Sequence, residues 1–221
     1  MNTHSSLKKL TILVLVLALV LTSSGCGAIG GAVKSVVDEY HGLITAYQKG
    51  QMAAANDQSC IVLAFSAMTN SAALANNFMQ GVAAQTEAYR KPLAEFGNKM
   101  ANQENSLQDQ LAAYRDPATG KPLDPSQIDL AALANKNATP ANLALTLQVY
   151  ASTFNEAPLP ALNPQPVLNA QRQVSESTNQ AFACVKDWND AVMAYNVERN
   201  KIPGDAVGRI AEYLKVKELP Q

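Results

Sequence analysis

The sequence predicts an all-α fold, an antiparallel helical bundle built from long helices with heptad patterns. Aromatic residues make up only 6% of the 221 residues, while alanine, asparagine and glutamine are abundant. Such a composition favours long helices over sheet. Two long segments repeat apolar residues at alternating steps of four and three, which is the spacing of a seam that packs against a partner helix. Glycine and proline collect mainly outside these segments, so they mark the connections.

The first heptad series covers the N-terminal half of the chain. Its seam positions are Val33, Val37, Tyr40, Ile44 and Tyr47, then the weaker Gln51, Ala54 and Gln58, and then Ile61, Phe65, Met68, Ala72, Ala75, Met79, Val82, Thr86, Tyr89, Leu93, Phe96 and Met100. An unbroken helix of this length would measure on the order of 100 Å at 1.5 Å per residue. We therefore expect a bend or break, either at Gly50, in the stretch 56–59 where Asp57 or Ser59 could cap a new helix, or at Pro92.

The second series predicts one helix of roughly 35 residues in the C-terminal third, begun after a proline cluster and ended by Pro203. Its seam positions are Val167, Gln171, Val174, Thr178, Ala181, Val185, Trp188, Val192, Tyr195 and Arg199. Between the two series, residues 116–122 (DPATGKP) indicate a turn. Ser126 and Thr139 are expected N-caps of shorter helices near 127–136 and 140–155, and a terminal helix is expected at 205–214.

The N-terminus has the pattern of a secretory signal. Lys8 and Lys9 precede an apolar run from Leu10 to Leu21, too short for the roughly 20 residues that cross a bilayer. Residues 21–26 (LTSSGC) resemble the lipobox of bacterial lipoproteins, in which cleavage leaves the cysteine, here Cys26, at the N-terminus, where it is acylated with chains such as palmitate. The sequence thus predicts a lipoprotein signal peptide at 1–25, a lipidated N-terminus and tether at 26–32, and a bundle domain at 33–214.

Charge and histidine content restrict the function classes. Removal of the signal leaves 15 basic and 18 acidic residues, a net charge of −3, which offers no basic field for nucleic acid. His41 is then the only histidine, which excludes a multi-histidine zinc site within one chain. Asp38 lies one helical turn from His41, and a solvated helix face explains this pair better than a metal site. We therefore predict no metal, no cofactor and no enzymatic activity.

Two further cysteines, Cys60 and Cys184, leave two states open. They are the only other cysteines of the chain, and an extracytoplasmic compartment permits a disulfide between them. Against the bond, Cys60 lies on the outer side of its heptad, whereas Cys184 flanks its own seam. The alternative is a pair of free thiols that pack as small apolar groups.

The most specific pattern lies in the second heptad series. Residues 188–196 read WNDAVMAYN, and Pro203 follows seven residues later. This pattern resembles the LemA family, whose C-terminal helix carries a Tyr-Asn-x-x-Val-x-x-Tyr-Asn signature that ends near a proline. The segments at 160–162 (PAL) and 176–179 (ESTN) are also similar to that family, so the resemblance covers roughly 158–214. It implies a membrane-tethered, extracytoplasmic helical bundle without a known cofactor.

The signature has two interpretations. Trp188, Val192 and Tyr195 fall on the seam, and Asn189 and Asn196 beside it could each hydrogen-bond to a neighbouring helix and fix its register. Alternatively, the strip is a docking surface for another envelope protein, and an exposed apolar patch there would favour this interpretation.

The sequence therefore predicts a non-catalytic interaction or scaffolding module. It would be held by its lipid on the periplasmic face of a bacterial envelope membrane, the outer membrane being favoured because Gly27 follows Cys26. The alternative function is a bundle that binds a small ligand, in a pocket lined by Trp188, Tyr195 and facing methionines. Either heptad seam can also pair with its own copy, since the pattern does not distinguish partners within a chain from partners across chains.

Overall fold

The computed structural model describes residues 28–202, with side chains from Val37 onward, and the elements there are α-helices and two single 3₁₀ turns. The helices are α1 (Ala28–Gln85), α2 (Glu87–Leu111), α3 (Leu130–Asn135), α4 (Pro140–Asn155), α5 (Gln165–Cys184) and α6 (Lys186–Lys201). The all-α prediction is confirmed. The signal peptide, Cys26, Pro203 and the expected terminal helix at 205–214 lie outside the described residues.

The chain divides into two compact units, residues 1–44 and 45–221. The described part of the first unit is the beginning of α1, which starts at Ala28. Residues 28–32 of the expected tether are therefore helical. In the same unit the rings of Tyr40 and His41 meet edge to face, with centroids 6.5 Å apart. All other helices belong to the second unit.

In the second unit, α1, α2, α4 and α5 form an antiparallel four-helix bundle. Two contacts show that α1 and α5 run in opposite directions: the Ser71 hydroxyl lies 3.0 Å from Gln173 Oε1, and Thr178 Oγ1 lies 4.0 Å from the sulfur of Met68. Similarly, α2 and α4 are antiparallel because Gln110 contacts Thr146 at one end and Lys99 contacts Glu156 at the other.

Both heptad seams face the core of this bundle. From Val167 to Tyr195, the apolar seam positions and Thr178 of the second series are all buried. In the first series, Ile61, Met68, Met79, Leu93 and Phe96 are buried as well. The seams therefore supply a large part of the apolar surface that the fold removes from water, and the buried Leu147, Tyr150 and Phe154 of α4 add to it. Burial of apolar surface is the main source of the stability of the fold.

The expected breaks in the first series were wrong at two positions. α1 runs through Gly50 and through residues 56–59 without interruption. Gly50 instead allows α3 to approach closely, since a Cβ at this position would lie 3.0 Å from Leu130 Cδ1. Asp57 does act as a helix cap, but of α6 rather than of its own helix.

The actual break is at Thr86, six residues before Pro92. Thr86 has extended φ and ψ values of −136° and 107°, and it separates α1 from α2. Pro92 lies inside α2 and does not end it, so the expected bend or break at this position is not a break. The turn between the two helices places α2 antiparallel to α1, and the Tyr89 hydroxyl near its start donates to the carbonyl of Pro158.

The single helix predicted for the C-terminal third is in fact two helices. α5 ends at Cys184 and α6 begins at Lys186, while Val185 between them has φ and ψ values of −84° and 6°. The prediction was wrong because the seam spacing continues across the junction, so the heptad pattern contains no sign of it. α6 ends at Lys201, as expected before Pro203, and Ile202 is extended as the residue before a proline tends to be.

A compact connection joins α2 to α4. Gly120, at φ +68°, lies in the expected turn at 116–122, and the Asp116 carboxylate accepts hydrogen bonds from the amides of Ala118 and Thr119. Thr139 caps α4 as predicted, whereas α3 is capped by Asp129 rather than by Ser126. From α1, Gln51 Nε2 donates to the carbonyl of Ile128 at 2.6 Å, which explains a buried amide at a weak seam position.

Candidate functional site

The residues of the C-terminal signature divide into a buried and an outward set. Trp188, Val192 and Tyr195 are buried on the inner face of α6, and the Tyr195 ring lies 6.4 Å from that of Tyr47. Asn189 is exposed and Asn196 is half-buried. Within residues 37–202 neither asparagine side chain hydrogen-bonds to another helix, so the described residues do not support the interpretation that the two asparagines fix the register of the bundle.

An apolar pair lies on the outer face of α6. Met193 and Val197, one turn apart, are 68% and 57% exposed. Asn189 and Asn200 flank the pair on the same face, and we call these four residues the α6 surface. Ion pairs lie near its two ends: Lys186 with Asp190 at 2.5 Å, and Lys201 with Glu198 at 2.6 Å. A small apolar centre with a polar border is the usual anatomy of a docking site.

The N-terminus of α6 is capped by a carboxylate from another helix. Asp57 of α1 is only 4% exposed, and its Oδ2 accepts a 2.9 Å hydrogen bond from the amide of Trp188, in the first turn of α6. Burial raises the pKa of Asp57 to about 6, the hydrogen bond from Trp188 opposes this shift, and the nearby charge of Asp187 adds to it. The sequence does not reveal this cap, because its two partners are far apart along the chain.

A disulfide lies one turn along α1 from Asp57. Cys60 and Cys184 are bonded, with their Cα atoms 5.9 Å apart and 124 residues between them in sequence. The bond joins α1 to the last residue of α5, where the chain bends into α6. Cys60 is exposed, as its outer heptad position predicted, and Cys184 is half-buried, so the bond lies at the solvent-facing edge of the α1–α5 contact and not in the seam.

The bundle also has a cavity, but not at the signature. It has a volume of ≈ 280 Å³ and lies between α1, α2 and α4. Its lining residues are Thr69, Ala72, Ala73, Asn76, Phe96, Gly97, Met100, Ala101, Glu104, Tyr150 and Phe154. Trp188 and Tyr195, which we expected to line a pocket, do not contribute to it. Small side chains on the facing surfaces of α1 and α2 leave this space open.

The cavity combines aromatic walls with one carboxylate. The Tyr150 hydroxyl lies 3.4 Å from Glu104 Oε1, which is half-buried. Burial, and then the charge of Glu104, raise the pKa of Tyr150, so its hydroxyl stays protonated and can donate to that carboxylate. Polar atoms of Thr69 and Asn76 complete the lining. Such a space suits a small, partly apolar molecule.

Within the described residues, no three His, Cys, Asp or Glu side chains come together as metal ligands. Judged by length and composition alone, one helix of the described chain, Val37–Gln85, could span a membrane. This segment is most of α1. Its inward side chains pack in the bundle, and Gln51 and Asp57 on it hydrogen-bond to other elements.

Fold and site together define a disulfide-linked, all-α helical bundle with an outward apolar strip on its last described helix. Comparison with known proteins found no match for this chain among family models, curated proteins or solved structures.

Proposed function

We propose that this protein is a membrane-anchored envelope lipoprotein that acts as a non-catalytic interaction module. The observation that carries the proposal is the α6 surface. Met193 and Val197 on this surface are exposed to solvent, whereas the opposite face of the same helix is buried in the core. An exposed apolar pair costs free energy in water, and a partner that covers it recovers that energy. The partner is another envelope protein.

The proposed location rests on the N-terminal sequence and on the disulfide. The lipobox-like segment before Cys26 supports acylation, and the Cys60–Cys184 bond suits an oxidising compartment outside the cytoplasm. We place the anchor in the outer membrane, facing the periplasm, because Gly27 follows Cys26. Membership of the LemA family is part of the same proposal and rests on the signature at 188–196.

Crosslinking in intact cells tests the interaction. A photoreactive residue replaces Met193 or Val197 in the full chain, and matched controls carry it at Asn98 or Leu145, which are exposed on other helices. We expect one abundant envelope protein to be captured from both α6 positions and from neither control. Equal capture from all four positions, or none from α6, would contradict the proposal.

The anchor is tested separately. Cys26→Ala should release the protein from membranes during a carbonate wash, because the acyl chains that hold it can no longer be attached. A Cys26→Ala protein that stays membrane-bound would show that something other than a lipid on this cysteine holds it.

The cavity favours a second candidate function, the binding of a small ligand. Ala101→Leu adds volume directly to the cavity lining, whereas Ala94→Leu makes the same change at an exposed position of α2 outside it. If the bundle carries a ligand, native mass spectrometry of protein isolated from the envelope should show added mass on the unmodified chain and the Ala94 variant, but not on the Ala101 variant. If the Ala101 variant loses the ligand but the same partner is still crosslinked from the α6 surface, ligand binding and partner binding belong to separate surfaces.

A further inference from the structure

The outward face of α1 is unusual because it carries no charge. From Gly50 to Thr86 the only ionisable acid or base is Asp57, which is buried. The outward positions instead hold asparagine, serine and alanine around three large apolar residues, Met52, Leu63 and Leu74. A solvated helix face normally carries lysine and glutamate, and their depletion is typical of interface centres.

The three apolar residues form a straight, symmetric row. Met52, Leu63 and Leu74 are 58%, 73% and 71% exposed, and successive members are eleven residues apart. Eleven residues make three helical turns plus only about 20°, so all three point away from the core. Leu63 is the midpoint of the row, with one apolar residue at the same distance on either side.

We propose that this face pairs with the same face of a second copy of the chain, in an antiparallel arrangement centred on Leu63. In that arrangement Leu63 meets its counterpart across the two-fold axis, and Met52 of each copy meets Leu74 of the other. A two-fold interface requires a patch that is complementary to itself, and this row meets the requirement. The inference concerns a different surface from the α6 surface and does not depend on it.

Charge complementarity argues for a second copy over other occupants. A charged partner surface would leave its charges desolvated against a face that offers no counter-charge, which is costly. A helix that lies on a membrane surface usually carries lysine or arginine on its polar side, and this stretch of α1 has neither. Asparagines such as Asn56 and Asn70 between the apolar residues suit a protein interface, where they find hydrogen-bond partners, better than acyl chains.

The available area indicates a weak dimer. The uncharged face that is symmetric about Leu63 covers residues 50–76, roughly 40 Å at 1.5 Å per residue, and a helix presents a strip about 12 Å wide. Two such strips bury on the order of 900 Å² in total, at the low end of specific interfaces.

Photocrosslinking from the outward face tests the orientation. A photoreactive residue at Asn70 of the full chain, expressed in cells, should form a covalent dimer, with the crosslink at or near Asn56. Within one chain these positions lie about 21 Å apart along the helix, beyond the reach of the probe, so this crosslink requires two copies. Crosslinks between Asn70 and Asn70 would mean parallel pairing and would overturn the proposal, as would capture of lipid or of a different protein.

Charge substitutions test the register. Leu63→Glu sets two carboxylates against each other, and Met52→Glu sets one against Leu74, so each should lower the yield of covalent dimer at least about fivefold. Adding Leu74→Lys to Met52→Glu should restore it, because each glutamate then faces a lysine of the other copy. Leu162→Glu, at a loop residue that is 86% exposed, should change nothing.

All these substitutions are at exposed positions, so we expect each variant to fold, and circular dichroism is the measurement that checks this. A dimer that persists in Leu63→Glu, or that Leu74→Lys fails to restore, would overturn the proposal. The α6 surface is probed separately, from Met193. If no covalent dimer forms from Asn70 while the partner is still captured from Met193, only this inference is refuted. Loss of the α6 partner with intact self-pairing would refute only the proposed function.

Discussion

At the scale of single residues, Asp57 links acidity to stability. Its pKa of about 6 in the folded chain lies above the ordinary value of 3.8, because burial and Asp187 disfavour the charged form. The folded state therefore binds this proton more tightly than the unfolded state. The contribution of Asp57 to the free energy of unfolding is fully present below pH 3.8 and is lost as the pH rises through 6, a change of about 2 to 3 kcal/mol.

Asp57→Asn should remove this dependence. Asparagine is uncharged at every pH and keeps an oxygen that can accept the hydrogen bond from Trp188. Relative to the unmodified chain, we expect the variant to gain about 2 kcal/mol in unfolding free energy between pH 4 and pH 7.5. Urea unfolding followed by circular dichroism at several pH values measures this difference. A difference that stays constant with pH would contradict the assignment, and Asp187→Asn should move the transition to lower pH.

Two glycines in the described helices lead to opposite predictions. A Cβ at Gly50 would crowd the buried Leu130, whereas a Cβ at Gly97 would meet nothing within 4 Å. Alanine is favoured over glycine inside a helix by about 1 kcal/mol. Gly97→Ala should therefore stabilise the protein by about that amount, while Gly50→Ala should lose the gain to overpacking and be less stable than Gly97→Ala by about 1 to 2 kcal/mol. Thermal unfolding of the two variants side by side measures this, and equal stability would refute the close approach of α1 and α3.

At the scale of elements, the caps decide where helices begin. The Thr139 hydroxyl accepts a 3.3 Å hydrogen bond from the amide of Asn142, and Pro140 occupies the first position of α4. Thr139→Ala should cost about 1 kcal/mol, and Thr139→Ser, which keeps the hydroxyl, should cost less. Denaturant unfolding measures both changes. Equal losses in the two variants would assign the effect to the buried methyl group instead of the cap.

The sequence predicted which helix faces are buried better than it predicted where helices end. The heptad spacing identified inward residues such as Val174 and Trp188 because burial of one face imposes a local period. Helix ends in this protein depend on residues that are distant in sequence. In the first turn of α6, the amide of Trp188 donates a hydrogen bond to the carboxylate of Asp57, which belongs to α1. Gly50 was expected to break a helix because glycine has a low helix propensity. In the fold, α3 packs so closely against this position that a larger residue would crowd Leu130, a tertiary contact that the local sequence does not reveal.

The candidate site was predictable only in part, for a similar reason. The signature located α6 and its buried Trp188 and Tyr195, but it did not show that Asn189 is exposed to solvent. The heptad spacing did not predict the outward row on α1, because Met52, Leu63 and Leu74 repeat every eleven residues and lie opposite the seam. The cavity depends on small residues of α1 and α2 and on two aromatic residues of α4, and only the fold determines how these helices are placed relative to one another.

At the scale of the whole molecule, the disulfide joins the first and the last parts of the bundle. It connects residues 124 positions apart, so it shortens the unfolded chain more than any local contact can. In the chain-entropy model a loop of this size corresponds to about 5 kcal/mol. This is a large share of the roughly 5 to 15 kcal/mol by which domains are stable. The bond also holds the junction of α5 and α6 beside α1, near the Asp57 cap.

Loss of this bond should therefore destabilise the protein more than any of the substitutions at Asp57, Gly50 or Thr139. Reduction, or the double substitution Cys60→Ser and Cys184→Ser, should lower the free energy of unfolding by roughly 5 kcal/mol. The dependence of that free energy on denaturant should become steeper, since the released chain exposes more surface when it unfolds. Denaturant titrations of oxidised, reduced and doubly substituted protein measure both quantities. The double variant is the control, since a reductant should not affect it, and two reactive thiols in the unfolded oxidised protein would show that the bond is not formed.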